Sequence, residues 1–358
     1  MSLPTPHPAL LTSFTEAVGI TYPLVQTGMG WVAGPRLVAA SAEAGILGLL
    51  ASATMTVEQL SSALDEVQSR TDRPFGVNMR VDAADVDERL ALMIAAGVKV
   101  ASFVGAPNKA VIDRCHAAGL FVIPTIGARR HAEKVASLGV DALIAQGGEG
   151  GGHTGSVPTS LLLPEAVDAV QGASMVLGAG GFYSGRGLVA ALAYGAQGVA
   201  MGTRFLLTKE STVPDSVKAR YLAASVNDTV VSTKIDGAPQ RVIRTEVING
   251  IEGRSWIRSL PAALTNAHHF RKETGLTLGA MLNEGRSMKK DNELTWPQVI
   301  MAANAPMMTK AALVDGRPED GILPTGQVTG VIDALPSVAE LVTSIIDEAN
   351  ATLERLTR

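Results

Sequence analysis

The sequence predicts an α/β fold: a closed (β/α)8 TIM barrel with an inserted, mainly helical lid subdomain. Three observations predict it. Eight short runs of β-branched or small apolar residues recur along the first 203 positions. Segments of helical period separate them, and polar residues stand at the ends of many different runs rather than of two or three, as a central barrel mouth requires.

The runs are PLVQ (23–26), LGLLAS (47–52), FGVNMR (75–80), VKVASFV (98–104), LFVIPTI (120–126), DALIAQG (141–147), MVLGAGG (175–181) and GVAMGT (198–203). Each is too short to be a long buried helix, and each ends at or near Gly, Asn, Thr or Pro. Between them lie PRLVAASAEAG, TVEQLSSALDEVQSR, DVDERLALMIAAG, NKAVIDRCHAAG, RRHAEKVASLG and GRGLVAALAYG. Five of these end at Gly45, Gly97, Gly119, Gly139 or Gly195, where a left-handed residue would stop the helix before the next strand. Most strand starts are 20 to 28 residues apart, one βα unit, and the sixth gap widens to 34 because a glycine-rich loop intervenes. Strict alternation gives right-handed parallel crossovers, and eight of them can close.

After residue 204 the alternation stops. Residues 205 to about 315 read as helical, and Lys234 to Lys290 carry ten Lys or Arg against five Asp or Glu. The barrel is therefore expected over 1–220 plus 318–358 and the lid over 221–317, with PSVAELVTSIIDEANATLERL (336–356) as a closing amphipathic helix.

Composition agrees with one large core built from small aliphatic side chains, since hydrophobic residues make up 46% and aromatics only 4% of 358 positions. A net charge of −4 without an aromatic-and-basic stripe excludes nucleic acid and anionic membranes as expected partners. The single cysteine, Cys115, cannot form an intrachain disulfide, which suits a reducing cytoplasm. No targeting or membrane-spanning segment is expected.

In such a barrel the chemistry belongs at the C-terminal strand ends. The first run ends in Gln26-Thr27-Gly28-Met29-Gly30, where glycines let backbone approach a flat ligand and Met29 can pack beneath a ring. Asn78 ends the third run with a carboxamide that can both donate and accept. Gln146 ends the sixth and leads into GGEGGGHTG, six glycines in nine residues around Glu149 and His153. That density suggests a main chain that must approach something closely, and a histidine there is a candidate acid-base group. No second His or Cys sits at ligand spacing from it, His268 and His269 being distant, so no metal site is expected. The loops after the seventh and eighth runs, with Gly180, Gly181, Gly202 and Thr203, are where barrels commonly seat a phosphate.

YPLVQTGMG, GVNMR, QGGEGGGHTG, GAGGFYSGRG, QGVAMGTRFLLT and LPTGQVTG together resemble the nitronate monooxygenase group, formerly the 2-nitropropane dioxygenases, which includes FMN-dependent enoyl-acyl-carrier-protein reductases. QTGMGWVAG, LLASATMT and MGTRFLLTKESTVPDSVKARYL are similar to the branch that acts, in steroid degradation, on a CoA thioester of the hydroxylated indane fragment left from the sterol C and D rings. The resemblance implies an FMN-dependent oxidoreductase introducing or reducing a ring double bond beside a thioester. Gly28, Met29, Asn78, Gln146, Gly180, Gly181, Gly202 and Thr203 would line FMN, and His153 would face the substrate above the flavin ring, exchanging a proton α to the thioester or holding its carbonyl. Gln327 would reach the same pocket, while Arg241, Arg244, Arg254 and Arg258 are candidates for the CoA phosphates. The resemblance leaves room for NAD(P)H as electron partner and for a homodimer. The alternative it offers is oxidation of alkyl nitronates by O2. The nitronate-oxidising branch usually has proline in the first motif, where this chain has Gly28, which weighs against that alternative.

Overall fold

The computed structural model describes residues 3–81, 83–253 and 296–357, with side chains of the last stretch from 304 onward. Its backbone divides into two units, one of residues 1–150, 154–212 and 332–358, the other of residues 151–153 and 213–331.

The first unit is a closed parallel barrel of β1 (Leu24–Gln26), β2 (Leu47–Ala51), β3 (Gly76–Arg80), β4 (Val100–Val104), β5 (Phe121–Ile126), β6 (Ala142–Gln146), β8 (Met175–Ala179) and β9 (Val199–Met201). All eight predicted runs are strands. β1 closes on β9 with Leu24, Val25 and Gln26 opposite Val199, Ala200 and Met201. The interior holds Val25, Leu47, Leu49, Val100, Ile123, Ala142, Ile144, Leu177, Ala179 and Ala200, the small aliphatic set that the composition implied. Phe14 and Val18 of α1 (Ser13–Val18) join that core, and Phe14 meets Phe121, the first residue of β5, with ring centroids 6.2 Å apart. α1 therefore closes the N-terminal end of the barrel and leaves chemistry to the other end.

α2 (Pro35–Glu43), α3 (Val57–Gln68), α4 (Val86–Ala95), α5 (Lys109–Ala117), α6 (Arg129–Ser137) and α8 (Gly185–Ala193) match the six helical segments. The five stop glycines have φ between 62° and 89°, a conformation open to glycine at little cost. α7 (Thr159–Val170) was not anticipated, because Pro164 lies inside it and removes one i→i−4 hydrogen bond. α13, the helix at Val338–Leu356, begins with a reciprocal cap between Ser337 and Glu340 and packs on α8. Contact there is close enough that a Cβ on Gly185 would stand 2.2 Å from the Ile345 carbonyl oxygen.

The second unit is not wholly helical. α10 (Asp215–Ala223), α11 (Glu246–Glu252) and the helix at Trp296–Leu313, α12, accompany a three-stranded antiparallel sheet in the order β10 (Thr229–Ser232), β11 (Gln240–Ile243), β7 (Gly152–His153). The helical reading missed β10 and β11 because each is four residues long and carries no long apolar run. α10 belongs to this unit, where Tyr221 donates to the Pro324 carbonyl and Thr329 to that of Tyr221, so a boundary at residue 220 would cut a helix. Ile235, Val242, Ile248, Ile251, Ala305 and Ile322 form its core. Among the described residues no helix is long and apolar enough to cross a membrane.

Candidate active site

At the mouth of the barrel the ladder places Asn78 between Ala51 of β2 and Ser102 of β4. Its side-chain amide donates to Ser102 Oγ at 3.0 Å, while the main-chain carbonyl of Asn78 accepts from both the amide and the hydroxyl of Ser52. Gly28 packs directly on it: a Cβ at position 28 would stand 2.3 Å from Asn78 Cβ, well inside van der Waals contact. A Cβ at Gly202 would meet Thr27 Oγ1 at 3.2 Å and Met29 Sδ at 3.5 Å. Four of the predicted ligand residues, Gly28, Met29, Asn78 and Gly202, thus converge on one end of the barrel. Thr203 is the first residue of the short helix α9 (Thr203–Leu206), which begins directly after β9, the position at which barrels of this kind hold a phosphate.

A second group gathers around the glycine-rich loop. Gln146 lies under Gly150, where a Cβ would stand 2.6 Å from its amide nitrogen. Gly180 and Gly181 both have left-handed backbone, φ 89° and 79°, and a Cβ at Gly180 would approach the Gly147 oxygen to 2.9 Å. Glu149 has a structural task that the sequence did not disclose. Its carboxylate accepts from Thr159 Oγ1 at 2.7 Å and from the Thr159 amide at 3.0 Å, capping α7, whose N-cap residue Pro158 offers no side-chain acceptor. The N-terminus of α8 is likewise capped, by Ser184 and by Glu348, which accepts from the Gly185 amide at 2.7 Å. The Gly185 and Gly187 amides at the start of α8 are thus already taken by Glu348 and Ser184.

Two observations fit a flavin to these residues. Gln26, fully buried at the end of β1, donates to the carbonyls of Thr27 and Leu49, but its Oε1 has no partner among the described residues. A buried acceptor left so costs about 1–3 kcal/mol, which a heterocycle N–H would offset. The glycines at 28, 180 and 202 stand where any side chain would collide or press on its neighbours. Arg204, one residue past Thr203, is buried, donates to the Leu207 and Ala334 carbonyls, and has its pKa pulled down to about 10 by burial against the opposing pull of Asp333. It keeps its positive charge at neutral pH.

In the second unit His153 pairs with Gln240 across the β7–β11 ladder. Its Nε2 lies 2.7 Å from Asp236 Oδ2, and Gln240 Nε2 donates to the same oxygen. Asp236 Oδ1 accepts from the Ala238 amide. Burial alone would raise the Asp236 pKa, but the hydrogen bond and charge of His153, with Ala238 and Gln240, outweigh it and hold the carboxyl below its usual range. Sequence reasoning missed Asp236 because no local pattern joins two residues 83 positions apart.

Arg241 projects to the face of the sheet opposite Gln240 by strand alternation and donates to Thr229 Oγ1 at 3.0 Å. Arg244 is exposed and contacts Asn249. Arg254 and Arg258 lie outside the described residues. Gln327 opens a short 3-10 helix after a segment that pairs with β11, where Ile243 donates to the Leu323 carbonyl and Thr325 to that of Arg241. The described residues contain no group of three or more His, Cys, Asp or Glu placed to hold a metal.

Comparison with known proteins gives three likenesses. The model of the family described as nitronate monooxygenase matches residues 12–348. Enzymes named (3aS,4S,5R,7aS)-5-hydroxy-7a-methyl-1-oxo-octahydro-1H-indene-4-carboxyl-CoA dehydrogenase are similar over almost the whole chain: that of Mycobacterium tuberculosis is 57% identical over 96% of this chain and 98% of its own, and that of Rhodococcus jostii 55% over 97% and 98%. Among solved structures, FabK from Thermotoga maritima superposes with a TM-score of 0.77 at 32% identity, covering 97% of this chain and 98% of that one.

Proposed function

The chain belongs to the nitronate monooxygenase family, and from that premise we propose that it is an FMN-dependent oxidoreductase forming a ring double bond in the CoA thioester of a hydroxy-methyl-oxo-indane carboxylate, as in steroid breakdown. What supports the choice within the family is that more than half of all residues are shared with two dehydrogenases of that name, over nearly the full length of each.

Bound flavin would supply the two-electron chemistry. The chain's own residues do the rest. Gly28, Met29, Asn78, Gln146 and the unpartnered Gln26 acceptor hold the ring system, and Gly180, Gly181, Gly202 and Thr203 hold the phosphate through main-chain donors. His153 exchanges a proton at the carbon α to the thioester, a position made acidic by the adjacent carbonyl. Arg244 is a surface cation for the CoA phosphates, with Gln327 toward the acyl group.

The family's name offers a second reading, oxidation of alkyl nitronates by O2. Gly28 weighs against it, because the nitronate-oxidising branch usually has proline there, whereas here even a Cβ would stand 2.3 Å from Asn78 Cβ. Oxygen uptake with propionate-3-nitronate faster than turnover of the acyl-CoA would favour it instead. For the main reading, His153→Ala is expected to lower acyl-CoA turnover by about 100- to 10,000-fold while the flavin stays bound, the range typical of a lost acid-base group. Unchanged turnover would remove His153 from the chemistry.

A further inference from the structure

We propose that Asp236 is a positioning residue for His153: its carboxylate accepts a hydrogen bond from Nε2–H and thereby makes Nδ1 the nitrogen that exchanges a proton with the substrate. This rests on the reading of His153 as the acid-base group.

The geometry is that of a held imidazole. The His153 side chain is 61% exposed and that of Asp236 only 17%, so the carboxylate forms the buried base against which an otherwise outward ring is fixed. Asp236 is itself anchored at both oxygens, Oδ1 by the Ala238 amide at 3.2 Å and Oδ2 by Gln240 and His153. It follows Ile235, fully buried in the core of this unit, and precedes Gly237, whose left-handed backbone, φ 90°, turns the chain toward β11. The ladder then sets Gln240 beside His153, so two of the three side chains are fixed by strand register and Asp236 by the turn that leads into β11.

The protonation pattern follows from charge. An ionised carboxylate oxygen only accepts, so the ring nitrogen 2.7 Å from it must carry a proton. Gln240 Nε2, 3.2 Å from the same ring nitrogen, does not compete for it, because both are donors converging on Oδ2. In the neutral ring Nδ1 then holds the lone pair. When the substrate C–H bond breaks, its electron pair stays on the carbon and the proton passes to Nδ1. Asp236 retains the Nε2 hydrogen bond, now to an imidazolium, which its negative charge stabilises. This is the part a buried carboxylate plays behind a catalytic histidine in hydrolases, reached here by residues from two strands and a turn.

The test uses the flavin-loaded full chain, the isosteric Asp236→Asn, His153→Ala and the double variant. Independently of activity, 15N NMR of the parent at pH 8 should show, in the histidine signal that His153→Ala removes, a protonated Nε2 and an unprotonated Nδ1. Asp236→Asn should lose that preference. In turnover, Asp236→Asn is expected to lower kcat at least about tenfold with KM changed less than about threefold, and the double variant to be no slower than His153→Ala, since groups acting as a unit are not additive. A protonated Nδ1 in the parent, parental kcat in Asp236→Asn, or losses that multiply in the double variant would each overturn the inference. If His153→Ala itself turns over at the parental rate, the reading of His153 fails, which the same experiment separates from a failure confined to Asp236.

Discussion

A methyl group at position 28 has nowhere to go, because Asn78 Cβ occupies the space at 2.3 Å and is itself tied to β4 through Ser102. Gly28→Ala must therefore displace either the turn after β1 or the Asn78 carboxamide, and both belong to the proposed ring-binding surface. The expected outcome is a folded protein with a flavin content, read from visible absorbance per chain, lowered several-fold, whereas Gly97→Ala, in open space on the far side of a helix stop, should keep its flavin and lose only stability. At this scale the sequence disclosed the residue types and not their partners. Gly28 and the glycine pairs were legible because they follow strands of recognisable composition, and Asn78 because it is a polar residue in an apolar run, although it sits at the centre of β3 and not at its end. Asp236 was not, since a turn aspartate looks the same whether it meets a histidine or water. Nor was the Gln26 acceptor, whose lack of a partner among the described residues shows only in three dimensions.

Elements follow the same division. The barrel strands were legible because they are buried on both faces and so are written in Val, Ile, Leu and Ala without polar interruption. β10 and β11 were not, since a two-sided four-residue strand such as QRVI carries no such run. α7 was hidden by Pro164, and its start is secured by a residue outside it, Glu149, ten positions earlier. A helix capped from a distance leaves no local signature. Removing that cap in Glu149→Ala is expected to destabilise the protein by about 1 kcal/mol, within the range for lost N-caps, seen as a lower thermal midpoint. Glu149→Gln, which keeps one acceptor oxygen, should lose less and leave kcat near the parental value. A kcat loss matching that of His153→Ala would instead make Glu149 part of the chemistry.

For the whole molecule, the closed barrel and the α1 plug dictate where chemistry can occur. With Phe14 and Val18 filling the N-terminal end, the strand ends from Gln26 to Thr203 are the face on which loops can vary. Family membership supports a flavin, which the proposal seats at that face, and the indane thioester is proposed from likeness to two dehydrogenases. The most direct test is an anaerobic titration: the purified protein should show an oxidised flavin spectrum that bleaches, one flavin per active chain, on addition of the hydroxy-methyl-oxo-indane carboxyl-CoA substrate. A colourless protein, or a flavin that stays oxidised with this thioester and bleaches only with a nitronate, would contradict the account.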